Sequence, residues 1–318
     1  MFTRMRIWSL FVTLMLLPAF RLAAQQQPEL NRAPWYQPPQ LFVMTGFIAN
    51  TTTGVWGPEY IVNGTWTPAK QEEALRAWEK DLGNSYDAEK TIEEFQEAGA
   101  TGVIFYDKWH DGLVNHATHL TDFKTQRDFV KETLAALRKH NMASVVYYSV
   151  GLDNNPEGKF RDWTCLDAKG KPMGLAFSTE WKSFYSPYRQ YVIDQIAEIL
   201  KDDGPVDGFW LDLYVQPNPI SYDQFTLHKF KERYHIPVSQ ASPAQLSEFH
   251  LATLRDFLLE IRQKEQAIQP SVGFTYNEAG MADVVEPAKA RQVDSVLDWF
   301  SVEGHVWPNI DRSSRMMH

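Results

Sequence analysis

The sequence predicts an α/β chain folded as a (β/α)8 TIM-like barrel, incomplete at its C-terminal end. Six segments are nearly all apolar and of strand length, and five are separated by stretches with helical spacing. That alternation belongs to a parallel sheet covered on both faces. Polar groups gather where these segments end, as they do on the C-terminal face of such barrels. An open doubly wound sheet shares the alternation, but the GxGxxG turn that a dinucleotide site needs after an early strand is missing.

The elements follow in order. LFVMTGFIA (41–49) reads as the first strand, and 67–82 as a helical or loop insertion. The amphipathic stretch 86–98 sets Ile92, Phe95 and Ala98 on one face and stops at Gly99. TGVIFY (101–106) is the second strand. A helix over 124–140, with Phe129, Leu134 and Leu137 at helical spacing, feeds ASVVYYS (143–149). A helix over 188–201, with Val192, Ile196 and Ile199, feeds VDGFWLDL (206–213). A helical pair, 222–234 and 243–269, precedes SVGFTYN (271–277), and SVLDWFSV (295–302) is the sixth strand. Only 13 residues follow His305, too few for two more βα units, so either two early strands lie unrecognised between Asn50 and Lys90 or the barrel is truncated with its edge strands unpaired; the reading of 67–82 as an insertion favours truncation.

The N-terminus predicts export. Arg4 and Arg6 precede an apolar run over 7–20, then Leu22-Ala23-Ala24 and a polar QQQ, the pattern of a signal peptide over 1–24. The run falls short of the roughly 20 residues of a membrane span, so the mature chain is expected to be secreted or periplasmic and free of the membrane. Residues 25–40, rich in Gln and Pro, read as an extended leader, and 41–318 as the barrel domain. The net charge of −9 comes without a block of Lys or Arg, which argues against nucleic acid as a partner. Cys165 is the single cysteine and reads as a buried bystander.

The strand ends carry the chemistry. An acidic side chain, Asp212, closes the apolar run GFWL. Two carboxylates reaching one cleft from different strands can divide the labour of glycosidic bond cleavage, one ionised as nucleophile and one protonated as acid. Asp212 is the candidate nucleophile, Glu303 the candidate acid/base, and Glu278 its alternative. Aromatic and polar groups together suit a sugar, whose ring has apolar faces and a rim of hydroxyls, so Trp109, His110, Asp111, Tyr148, Trp210 and Asn277 are candidate substrate-binding residues. His116 and His119 lack a ligand pattern and HExxH is absent, so no metal or other cofactor is expected. A non-catalytic carbohydrate-binding barrel is the alternative reading of the same aromatic and polar set.

Three stretches carry a more specific resemblance: YDAEKTIEEFQEAGATGVIFYDKWHDG (86–112), RDFVKETLAALRKHNMASVVYYS (127–149) and YVIDQIAEILKDDGPVDGFWLD (191–212). Together they resemble the alpha-L-fucosidases of glycoside hydrolase family 29, in which a KHHDG-like motif, a YYS and a WFD-like strand end recur in this order. The resemblance implies an exported, retaining exo-glycosidase without a cofactor, acting on a terminal sugar such as alpha-L-fucose through a covalent glycosyl-enzyme intermediate. It implies Asp212 as nucleophile and His110 as the second of a sugar-binding His pair. The chain departs from the pattern at Trp109, which stands where the first His would be, at Leu213, which replaces a Gly, and in lacking an early HWG.

Overall fold

The computed structural model describes residues 41–46, 85–174, 180–214, 216–277 and 293–299, with 73, 76–77 and 79–81 besides. Five strands, β1 (Phe42–Thr45), β2 (Gly102–Lys108), β3 (Ala143–Ser149), β4 (Gly208–Asp212) and β5 (Gly273–Tyr276), lie side by side in chain order. Every neighbouring pair is parallel. The helices between them are α1 (Ala88–Glu97), α2 (Phe129–Lys139), α3 (Gly158–Asp162), α4 (Tyr188–Glu198), α5 (Gln224–Tyr234) and α6 (Pro243–Gln266). This is the order and interleaving of part of a (β/α)8 barrel.

Local sequence explains where the helices begin. Asp87 caps α1 by accepting from the Lys90 N–H, and Asp128 caps α2 by accepting from Lys131. Asp223 takes the N–H groups of Phe225 and Thr226 at the start of α5. Ser242 and Gln245 form a reciprocal capping box at α6, with Pro243 in the first turn, where its missing N–H costs nothing. The caps shorten the ranges that periodicity gives: α2 begins at Phe129 instead of residue 124 because Asp128 ends the preceding loop.

Strand alternation divides the sheet into two faces. Val103, Phe105, Val146, Tyr148, Phe209, Leu211, Phe274 and Tyr276 point to the helices and pack with Ile92, Leu134, Leu137, Val192, Ile196, Phe257 and Ile261. On the other, concave face Val145, Tyr147 and Trp210 are buried together with Phe42, Ile104, Tyr106, Trp109 and Trp299 around them. A Cβ on Gly208 would lie 2.3 Å from the Trp299 ring, so the indole rests directly on the backbone of β4. Of the apolar faces expected on the helices, Ile92, Phe129, Leu134, Leu137, Val192, Ile196 and Ile199 are buried, Phe95 is half-buried and Ala98 is exposed.

Two departures bear on the site. The register of β2 against β3 slips between Tyr106 and Lys108, leaving Asp107 as an inserted residue, a β-bulge. Tyr106 pairs with Tyr147 on the concave face, and Lys108 pairs with Tyr148 on the helix face. The sixth strand, expected over 295–302, is corrected over 295–299, which carry turns and bends, while 300–302 lie outside the described residues. Asp298 accounts for this, because its own N–H donates to the Phe274 carbonyl at 2.9 Å while its carboxylate accepts from the Phe274 N–H at 2.8 Å. A side chain takes the donor that a sixth strand's carbonyl would have met, and Arg262 holds that carboxylate at 2.7 Å. The expected signal peptide and leader over 1–40 lie outside the described residues.

Candidate active site

Asp212 ends β4 on the concave face, in register with Ser149 at the end of β3. Its Oδ1 accepts from the Leu213 N–H at 2.9 Å, and its Oδ2 accepts from the Tyr147 hydroxyl. The Leu213 backbone is left-handed, at φ 43°, a conformation that costs a branched L-residue about 1 kcal/mol or more. Asn277, just after β5, accepts from the same N–H through Oδ1 at 2.8 Å, so two candidate residues meet at one donor. The chain after β3 is tied in as well, since the Val150 N–H donates to the Asp212 carbonyl at 3.0 Å.

His110 faces this carboxylate, with Nε2 3.4 Å from Asp212 Oδ2. On its other side Nδ1 lies 2.8 Å from Ser149 Oγ, and that hydroxyl donates to the Leu152 carbonyl at 2.9 Å. With the serine proton committed, Nδ1 is the donor and Nε2 is left as an acceptor turned towards Asp212. Burial, with help from the Lys108 ammonium, lowers the His110 pKa to about 3, so the ring is neutral at ordinary pH. Trp109 stacks on it with ring centroids 4.7 Å apart and planes inclined by 29°. Trp210 floors the concave face beside Tyr147, centroids 5.4 Å apart.

Asp111 sits behind His110, buried, with Oδ1 accepting from the Leu113 N–H at 3.0 Å. Burial above all, with Asp153 near, pushes its carboxyl up to about 7. Tyr148 is a correction: it faces the helices, fully buried, and its hydroxyl donates to Gln195. Alternation along β3 requires this, because Ser149 pairs with Asp212 and residues 147 and 149 therefore share Asp212's side. Tyr147 is thus the tyrosine that reaches the carboxylate, and parity counted back from the strand end is the signal that identifies it. Glu303 and Glu278 lie outside the described residues.

Among the described residues no group of three or more His, Cys, Asp or Glu is arranged to hold a metal ion. Cys165 is buried 3.6 Å from Gln216 Oε1, and burial raises its thiol pKa far above the ordinary range. Sequence reasoning overlooked one further charged feature. Lys108 and Asp153 form a wholly buried ion pair at 2.6 Å directly behind the His110 segment.

A sequence profile described as alpha-L-fucosidase matches residues 73–261. Among solved structures, alpha-L-fucosidase isoenzyme 2 from Paenibacillus thiaminolyticus is similar at a TM-score of 0.57 and 17% identity, over 68% of this chain and 32% of that one. Unliganded alpha-L-fucosidase AlfC from Lactobacillus casei gives 0.50 at 15% identity, over 86% of this chain and 73% of that one. At such identities the likeness is one of fold. The chain spans about a third of the length of the Paenibacillus enzyme. No curated protein matches it in sequence.

Proposed function

The chain belongs to the alpha-L-fucosidase family, and on that premise we propose that it is an exo-acting, retaining glycoside hydrolase that removes a terminal sugar such as alpha-L-fucose. The observation that carries the proposal is the setting of Asp212, a strand-end carboxylate with the Tyr147 hydroxyl on one oxygen, the Leu213 N–H on the other and a neutral His110 beside it. Two donors hold the carboxylate in place for in-line attack, and the acceptor nitrogen of His110 suits a sugar hydroxyl. Trp109, half-buried, offers aromatic surface for the ring, with Trp210 buried in the cluster it packs against.

In the proposed reaction Asp212 bonds to the anomeric carbon as the glycosidic C–O bond breaks, and an acid gives its proton to the departing oxygen. Water, deprotonated by the same group, then attacks the anomeric carbon and releases Asp212 as carboxylate. Glu303 is proposed for the acid/base role, with Glu278 as its alternative. Export under the N-terminal signal is part of the proposal.

The test is release of nitrophenol from a panel of nitrophenyl glycosides that includes the alpha-L-fucoside, with Asp212→Asn alongside and folding followed by circular dichroism. Turnover of one glycoside, lost in the folded variant, is the expected result. Near wild-type turnover by Asp212→Asn would remove the nucleophile assignment, and a first product of inverted anomeric configuration would remove retention.

A further inference from the structure

We propose that the buried Lys108–Asp153 ion pair positions the candidate site, acting as a clamp that sets where the His110 segment stands without itself touching substrate; the proposal rests on the glycosidase reading above. Both side chains are wholly buried, with Lys108 Nζ 2.6 Å from Asp153 Oδ2. The ammonium also donates to the Tyr188 hydroxyl at 2.8 Å, and that hydroxyl donates to the same Asp153 oxygen at 3.1 Å. The rings of Tyr148, Tyr188 and Tyr191 surround Nζ, with centroids at 4.6, 5.1 and 5.6 Å.

The other side of Asp153 leads to the site. Its Oδ1 accepts from the Asn155 N–H at 2.9 Å, which fixes the turn after β3. That turn grips the segment after β2 in two places. The Asn154 N–H donates to the His110 carbonyl at 3.0 Å. Gly112, at φ 83°, lies so close that a Cβ would stand 2.3 Å from Asp153 Oδ1 and 2.6 Å from the Asn155 nitrogen. Contacts therefore run without a break from Lys108 through Asp153 and Asn154 to His110, and from His110 to Asp212.

Stability alone gives little reason to keep such a pair. Desolvation costs several kcal/mol per ion and offsets most of the attraction, so apolar replacement of both partners is commonly neutral or better. What the pair contributes is direction: a carboxylate whose two oxygens are committed to different partners leaves the turn a single placement. The bulge at Asp107 is what delivers Lys108 to this position, on the side of β2 away from the cleft.

The test is the double variant Lys108→Met with Asp153→Asn, which removes both charges together so that neither is left buried alone. Amide hydrogen exchange at Asn154 is expected to quicken about tenfold or more, with Val146 and Leu211 in the sheet unchanged. On the nitrophenyl glycoside that the wild type cleaves, kcat/KM is expected to fall about 100-fold. In a His110→Ala background the same double change is expected to cost nothing further, because the route it acts through is gone. Unchanged exchange at Asn154 overturns the clamp whatever the enzyme's activity, as does an equal loss of kcat/KM in both backgrounds. Faster exchange with kcat/KM unchanged in an active enzyme overturns the positioning role. A wild type that cleaves no glycoside would end the activity reading, while quickened exchange at Asn154 would still support the clamp. If the double variant does not fold, Asp153→Asn alone, which keeps the shape of the side chain, is judged by the same exchange measurement.

Discussion

The Tyr147 hydroxyl on β3 donates to the Asp212 carboxylate on β4, across two neighbouring parallel strands. A hydrogen bond to a charged acceptor contributes about 1.5–3 kcal/mol. If Asp212 is the nucleophile, Tyr147→Phe lowers kcat/KM by roughly 10- to 100-fold at that energy and leaves the circular dichroism spectrum unchanged. Steady-state kinetics on the cleaved glycoside check this, and an active Tyr147→Phe variant within twofold of wild type would show the contact to be idle.

Tyr148→Phe supplies the contrast. It removes the hydroxyl that meets Gln195 on the helix side and leaves the ring in its packing. A buried partner left unsatisfied costs about 1–3 kcal/mol, so the urea midpoint should fall while kcat/KM holds. A larger kinetic loss here than at Tyr147 would reverse the assignment of the two faces of β3.

At Gly112 the prediction is steric. Alanine would need a positive φ and would press its methyl against Asp153 Oδ1 and the Asn155 backbone. A loss of about 2 kcal/mol or more is expected for Gly112→Ala, read from equilibrium urea unfolding. A neutral result would mean that the two loops part more easily than their spacing implies.

Leu213 carries its strain next to Asp212. Its φ of 43° is disfavoured for a branched residue and open to glycine. Leu213→Gly is therefore expected to be neutral or to stabilise by up to about 1 kcal/mol, and Leu213→Val to destabilise by about 1–2 kcal/mol. Thermal denaturation of the pair decides, and equal midpoints would show that the backbone relaxes there.

His116 gives a pH prediction. Burial opposes its charge, but Asp107 at 2.8 Å and Glu198 at 3.5 Å prevail and raise its pKa from 6.5 to about 10. A raised histidine pKa stabilises the fold fully below about pH 6.5, and that contribution is lost as pH rises towards about 10. Imidazole resonances followed by NMR should show His116 still protonated at pH 8 and His110 neutral at pH 6. A His116 inflection near 6.5 would refute the first.

Much of this architecture was open to reading. ASVVYYS gave β3 residue for residue because its centre, Val145 to Tyr148, is β-branched and aromatic and Ser149 closes it. Asp212 stood out because a charge closes an otherwise buried strand. Other features depend on partners that composition does not reveal. The choice between Tyr147 and Tyr148 is a matter of parity, set by which residue of β4 lies opposite. The stretch 295–299 has a strand's composition but not its hydrogen bonds, because the Asp298 side chain has taken one of them. The Lys108–Asp153 pair joins residues 45 apart, and only the fold brings them together.

The extra residue in β2 has a consequence for changes of length. In an unbroken strand Lys108 would share a face with Tyr106, and it lies opposite only because Asp107 is inserted between them. Replacing Asp107 takes the carboxylate from His116 and from the Asn115 N–H, whereas deleting it would set Lys108 directly after Tyr106 in regular alternation, on the helix face it already occupies. The bulge is thus the one place in β2 where the strand can lose a residue and keep both faces, whereas a deletion elsewhere between Gly102 and Tyr106 would turn one side of it over.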